Sequence, residues 1–222
     1  MKQFYNMFSD EKVSPVATQL TWSHYSELLS IKDFGKLMYY IKITKNSNLS
    51  KRELREKIKN KEYERLPEDT KNKLVTEDKI EVNDLVPNPI LIKNKNDIDI
   101  VTEKVLHYLI MEDIESFMKE LGTGFCFMGS EYKIKVDNKY NYIDLLLYNI
   151  KYRCYVVVEL KVTELKKEHT GQIMTYMNYI DENIKSINEN DTVGIIICKQ
   201  NNEYVIKHCS DERIISREFE LV

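Results

Sequence analysis

Apolar residues in the second half of the chain recur with two periods, and each change of period marks a new element. From about Val101 to Leu121 the apolar positions Val105, Leu109, Ile110, Ile114, Phe117 and Leu121 follow the helical spacing. They predict one long helix, ended by Gly122 and Gly124. The runs FCFMGSEYKIKV, NYIDLLLY and RCYVVVELKV are rich in β-branched and aromatic residues and predict three strands. A second helix is expected from about Lys166 to Ile187, then a strand TVGIIICK. Across the polar turn Gln200-Asn201-Asn202 a shorter strand, EYVIKH, is expected. The nearly unbroken apolar runs VVVEL and GIIIC imply strands covered on both faces. The order α-β-β-β-α-β-β predicts an α/β sandwich.

The first half reads as short helices. Thr21 is placed to cap a helix from Trp22 to about Leu29, and another is expected from about Phe34 to Thr44. Ser50 followed by Glu53 is a capping box, with Leu54 and Ile58 as the apolar stripe behind it. From about Pro67 to Asp99 the pattern turns polar and contains Pro87-Asn88-Pro89, which disfavours helix. The expected division is a small helical module over 1–70, a linker over 71–99 and an α/β domain over 100–222. Trp22 is expected in the module's core, and His24 and His169 at the surface.

Composition narrows the class. With 222 residues, 42% apolar and 31% charged, the chain is long enough to bury a core without disulfide or zinc staples. Only 6 Gly and 4 Pro exclude collagen-like and linker-rich designs. No apolar run approaches the length of a membrane span, and MKQFYNMFSDEK is not patterned as a secretory signal, so a cytoplasmic protein with reduced thiols is expected. The four cysteines form no C-x-x-C pair and share no zinc spacing with the histidines; they are expected to pack in strands. The net charge of −3 means that any surface for nucleic acid must be local. One such patch runs from Lys42 to Lys61, with eight basic residues against two acidic ones. Lys51, Arg52, Arg55 and Lys59 are its candidate phosphate contacts, although a solvated lysine face explains the same pattern.

Two acids and a lysine interrupt the apolar strands. Glu159 and Lys161 share one face of their strand, whereas Val156, Val158, Leu160 and Val162 point the other way. Asp144 joins the first face if paired residue numbers in the hairpin sum to an odd value. A two-residue loop at Ile150-Lys151 gives 301 and sets Asp144 diagonal to Glu159. Two neighbouring carboxylates do not both ionise cheaply without a cation between them. A hard divalent ion takes such oxygen ligands, polarises phosphoryl oxygens and activates water, and a lysine beside it stabilises developing charge. Gln172 and Tyr176, four residues apart, fall on one face of the following helix. Each feature alone also fits a polar strand end or an ordinary helix surface.

Taken together, Asp144, Glu159-Leu160-Lys161 and Gln172…Tyr176 resemble the PD-(D/E)XK nuclease superfamily. GTGFCFMGSEYKIKV, YIDLLLYN, RCYVVVELK, GQIMTYMNYID and GIIICK resemble its YhcG-like bacterial family. MKQFYNMF, QLTWSHYSELLSIKD and LSKRELREKI resemble that family's N-terminal module. The resemblance implies a restriction-endonuclease-like α-β-β-β-α-β core with a mixed sheet, preceded by a small all-helical, DNA-binding module. It also implies a metal-dependent DNA endonuclease. Asp144, Glu159 and the Leu160 carbonyl would hold Mg²⁺ or Mn²⁺, Lys161 would be the catalytic lysine, and Gln172 and Tyr176 would support it. A further acid is expected from the long helix, where either Glu103 or His107 occupies the place. The family's Arg-Gln after the Gly-rich strand reads Ser130-Glu131 here, and the chain reads as N-terminally short. DNA is the expected partner, with no membrane, and a homodimer is compatible by analogy. The rival readings are a nucleic-acid-binding or assembly protein that keeps the fold without cutting, and a nuclease acting on RNA.

Overall fold

The computed structural model describes residues 20–76 and 80–222; the MKQFYNMF segment, read above as part of the N-terminal module, lies outside them. The chain divides into two compact units between Ile80 and Glu81. In the first, α1 (Trp22–Leu28), α2 (Phe34–Asn46), α3 (Lys51–Lys59) and α4 (Glu68–Thr76) surround a core of Leu28, Tyr40, Ile41 and Leu54. The capping box at Ser50 forms: its hydroxyl accepts the Glu53 N–H, and Glu53 accepts the Ser50 N–H. α3 buries only Leu54 and leaves its charged residues outside. Trp22, expected in the core, is 61% exposed, because the apolar stripe of α1 is carried by Tyr25 and Leu28 instead.

The second unit holds a six-stranded mixed sheet among the described residues. Its strands are β1 (Ile90–Ile92), β2 (Phe125–Val136), β3 (Lys139–Asn149), β4 (Cys154–Glu164), β5 (Asn190–Gln200) and β6 (Ile214–Leu221), in the order β1-β6-β5-β4-β3-β2. β2, β3 and β4 are antiparallel neighbours, and β4, β5, β6 and β1 are parallel. Helices α5 (Glu103–Glu112) and α6 (Ile114–Leu121) supply Leu106, Leu109, Ile110, Phe117 and Leu121 to one core layer with Val156, Val158 and Leu160. α7 (Lys167–Asn183) supplies Ile173, Tyr176, Met177 and Ile180 to the other, with Val157 and Ile196. Gly194 on β5 lets α7 approach closely: a Cβ there would stand 2.6 Å from Met177 Sδ.

Several sequence expectations change. The long helix breaks at Asp113, whose carboxylate accepts the Ser116 N–H and restarts the helix as α6. EYVIKH is not a strand but a short helix, α8 (Glu203–Lys207), because Asn202 caps it through the Val205 N–H. The last strand is instead IISREFEL, whose Ile214 and Ser216 alternate into the interior. The expected linker over 71–99 is structured in part. α4 runs to Thr76, and ILI after Pro89 pairs with β6, Ile90 opposite Phe219, to close the sheet edge. A three-residue strand carries too little periodicity to be read locally. Cys154 and Cys198 pack in strands as expected, whereas Cys126 is exposed on β2.

Candidate active site

The candidate residues meet where β3 and β4 part. Their ladder runs from Asn149↔Cys154 to Leu145↔Val158 and stops there. The register is odd, as a shared face demands, but the pairs sum to 303 rather than 301, which places Asp144 opposite Glu159 instead of diagonal to it. The cause is the loop. Asn149 is fully buried, its Oδ1 accepts the N–H groups of Lys151 and Tyr152, and the turn so formed spans 150–153 instead of two residues.

Beyond the ladder each acid bonds to the other strand's backbone. Asp144 Oδ2 accepts the Leu160 N–H at 2.8 Å, and the Asp144 N–H points to Glu159 Oε1 at 3.5 Å. These contacts orient both carboxylates without any cross-strand carbonyl. On the other side of β3 the pair Glu131–Asp144 is missing from the ladder, and Glu131 adopts a φ of 46°. The side-chain alternation breaks at the same point: Ile143 joins the core layer under α7, and Leu145 joins the layer under α5 and α6.

Burial makes this arrangement electrostatically demanding. Glu159 is 2% exposed and Lys161 8%, and Lys161 Nζ lies 3.2 Å from Glu159 Oε2. Desolvation, followed by the Asp144 charge, pushes the Glu159 carboxyl up to about 7, against the pull of Lys161. Asp144 is also raised by burial, opposed by the Leu160 N–H and Lys161 and reinforced by Glu103. Burial disfavours the charge on Lys161, but Glu159, Glu103 and Asp144 outweigh it and hold its pKa above the ordinary lysine value. The site therefore carries more carboxylate than its one lysine balances.

The helices supply the rest. Glu103 opens α5, and both Glu103 and His107 act electrostatically on Asp144, so the fold brings forward both alternatives that the sequence left open. Among the described residues, His107 Nε2 is buried with no hydrogen-bond partner. On α7, Gln172 Nε2 donates to the Tyr176 hydroxyl at 3.0 Å. Burial raises the Tyr176 pKa, and Glu159, Lys161 and Asp144 all act on it, which sets the phenol within range of the acidic cluster. His169, expected at the surface, is 8% exposed, and its Nδ1 accepts the Lys166 N–H at the start of α7. Its position three residues before Gln172 was the available signal. Burial and then Lys161 lower its pKa.

The basic patch of the first unit divides in two. Arg55 grips Glu27 through two hydrogen bonds of 2.8 and 3.1 Å, and Lys51 lies 3.4 Å from the same carboxylate. Arg52 and Lys59 are exposed and form no ion pair among the described residues.

The donor set suits a hard divalent cation. No three His, Cys, Asp or Glu side chains among the described residues form a preformed metal cluster. Two carboxylates with a surplus of negative charge suit an ion that takes oxygen ligands and fills its remaining positions with water and phosphate oxygens.

A mixed sheet flanked by helices, with an acidic cluster where the neighbouring strands β3 and β4 separate, defines a restriction-endonuclease-like α/β domain. The chain belongs to the family described as the YhcG PDDEXK nuclease domain, whose profile matches residues 90–218; residues 1–65 match the DUF1016 N-terminal domain. Over 196 residues it is 28% identical to "Putative nuclease YhcG" of Escherichia coli (strain K12), covering 86% of this chain and 52% of that protein. The chain thus spans about half the length of that curated relative. Among solved structures it is similar to a repair endonuclease from Pyrococcus abyssi, with a TM-score of 0.38, 20% identity, and 57% of this chain and 49% of that one covered. It is also similar to EndoMS in a complex with double-stranded DNA, with a TM-score of 0.39, 16% identity, and 58% and 48% covered. No helix among the described residues is long and apolar enough to cross a membrane.

Proposed function

We propose that this chain is a divalent-metal-dependent DNA endonuclease that hydrolyses phosphodiester bonds at the Asp144–Glu159–Lys161 cluster. The observation that supports it most is the opposition of Asp144 and Glu159 beyond the end of their ladder, desolvated, over-supplied with negative charge and bridged to each other's backbone.

In this reading Asp144, Glu159 and the Leu160 carbonyl hold Mg²⁺ or Mn²⁺. A cation held there supplies Lewis-acid polarisation of the scissile phosphate and a lowered pKa for an attacking water. The Leu160 N–H fixes the rotamer of Asp144, so the carboxylate is oriented before substrate arrives. Lys161, kept protonated by three acids, offers a positive charge to the oxygens that gain negative charge as the water attacks. Gln172, held by Tyr176, presents its amide oxygen to Lys161 or to the attacking water. Glu103 and His107 on α5 are further candidate ligands, one a carboxylate and the other an imidazole. Arg52 and Lys59 add phosphate contacts from the first unit. Cutting both strands of a duplex calls for two such sites, so a homodimer belongs to the same proposal.

The test incubates wild type and Glu159→Ala with plasmid, linear and branched DNA, in Mg²⁺, Mn²⁺ or EDTA. Cleavage by wild type alone, lost in EDTA, is the expected result. Cleavage by the variant at the wild-type rate removes the assignment. Salt-sensitive binding without cleavage on every substrate moves the chain to the non-catalytic reading.

A further inference from the structure

The distal end of the β2–β3 hairpin has no task in the chemistry above, yet its surface is unusual. Asp137 and Asn138, with φ of 47° and 64°, make the tight turn that a two-residue hairpin needs, and Val136 pairs with Lys139. Two further pairs follow, Lys135↔Tyr140 and Lys133↔Tyr142. Directly opposed residues share a face, so two lysines and two tyrosines form one block. Ile134 and Ile143 point the other way and are buried in the layer under α7.

The block itself is open to solvent. Tyr140 is 60% and Tyr142 52% exposed, and both lysines are exposed beside them. Lys133 Nζ sits 3.7 Å from the Tyr140 ring centroid, and neither Lys133, Lys135 nor the neighbouring Lys139 forms an ion pair among the described residues. Lysines on β2 guard an edge strand against pairing. The ladder with β4 ends at Leu145, so β3 also has a free edge at Tyr140 and Tyr142; edge protection accounts for lysines there but not for two exposed aromatic rings. Ammonium groups interleaved with exposed aromatic rings match a polyanion whose own rings are uncovered, which is a single nucleic-acid strand; a duplex keeps its base faces stacked inside. The block lies on the strand that carries Asp144, and Tyr142 precedes it by two residues, about 7 Å along β3.

We propose that Lys133, Lys135, Tyr140 and Tyr142 form a stacking platform for unpaired bases of DNA beside the candidate active site, so that the preferred substrate carries a single-stranded segment next to the cut. The proposal rests on the nuclease reading for its substrate and on the hairpin alone for its binding surface.

Fluorescence anisotropy in EDTA tests the platform apart from cleavage, with a labelled 20-nucleotide single strand, a blunt duplex and a splayed fork as probes. Wild type is expected to bind the single strand and the fork more tightly than the duplex. Tyr140→Ala and Tyr142→Ala are each expected to weaken single-strand binding by roughly 5-fold or more with an unchanged melting temperature. Tyr→Phe at either position retains the affinity, because the ring is what stacks. Lys133→Gln should lower the salt dependence by about one released counterion. Equal affinity of wild type and the Tyr140→Ala/Tyr142→Ala double variant overturns the platform, as does a wild-type preference for blunt duplex. A change of sedimenting mass without a change of affinity reassigns the block to contact between copies of the chain and also overturns it. A protein that cuts DNA but binds it independently of the tyrosines keeps the nuclease reading and loses the platform. One that never cuts but loses single-strand affinity in the variants does the reverse.

Discussion

Replacing Glu159 by Gln should stabilise the metal-free protein at alkaline pH and have little effect in acid. Gln keeps the shape of the side chain and an acceptor for Lys161, but removes a carboxylate that is 2% exposed and faces Asp144. Moving that carboxyl from 4.5 to about 7 corresponds to about 3 kcal/mol at about 1.4 kcal/mol per factor of ten. The sign follows from proton counts. Between pH 4.5 and about 7 the folded chain holds a proton that the unfolded chain has released. The destabilisation is therefore fully present above about pH 7 and fades as pH falls toward 4.5. Thermal or urea unfolding in EDTA at pH 8 and at pH 5 measures it. Glu159→Gln should exceed wild type by up to about 3 kcal/mol at pH 8, several degrees in melting temperature. The gap should shrink severalfold at pH 5. A gap of the same size at both pH values, or a Gln variant less stable than wild type at pH 8, refutes the account. Adding Mg²⁺ at pH 8 should raise the melting temperature of wild type and leave Glu159→Gln unchanged.

Other expectations are independent of that carboxyl. Asp144→Asn should retain the fold, since its side chain still offers the Leu160 N–H an acceptor, yet lose metal-dependent cleavage in a plasmid-nicking assay. Gly194→Ala should destabilise the second unit by about 1–3 kcal/mol in urea unfolding, because the new methyl meets Met177 Sδ and Ile173 Cδ1 at 2.6 and 3.0 Å. His169 is held neutral by burial and by Lys161, so it draws down stability as pH falls below its ordinary 6.5; His169→Gln, which can still accept the Lys166 N–H, should show a shallower loss between pH 6.5 and 5. Arg52→Ala and Lys59→Ala should weaken DNA binding and each lower its salt dependence by about one counterion. Lys51→Ala and Arg55→Ala should do less, since Glu27 already holds those charges.

Patterns that repeat within a few residues were legible in the chain. The Ser50–Glu53 cap, the helical stripe of α7 and the runs of β2 to β5 are local, and each formed close to where the spacing put it. The acids stood out for the same reason, as charges inside apolar strands. Elements that depend on distant partners were not legible. Ile90–Ile92 is a strand because β6 lies alongside it, and Tyr204-Val205-Ile206 is helical because Asn202 caps it, against its β-branched composition. The exposure of Trp22 and the burial of His169 likewise depend on what packs against them.

For the candidate site, the sequence by itself determined the residue types and the condition that Asp144 and Glu159 share a face. Only the tertiary structure decided that they stand opposite each other. That outcome turned on one buried asparagine, Asn149, whose carbonyl oxygen gathers two backbone N–H groups and lengthens the loop. A strand's period of two is written in its side chains, but its register against a neighbour is set by the turn that joins them. The same limit applies to charge: the chain lists its carboxylates and lysines, and only the packed sheet determines which of them lose their water and must answer to one another.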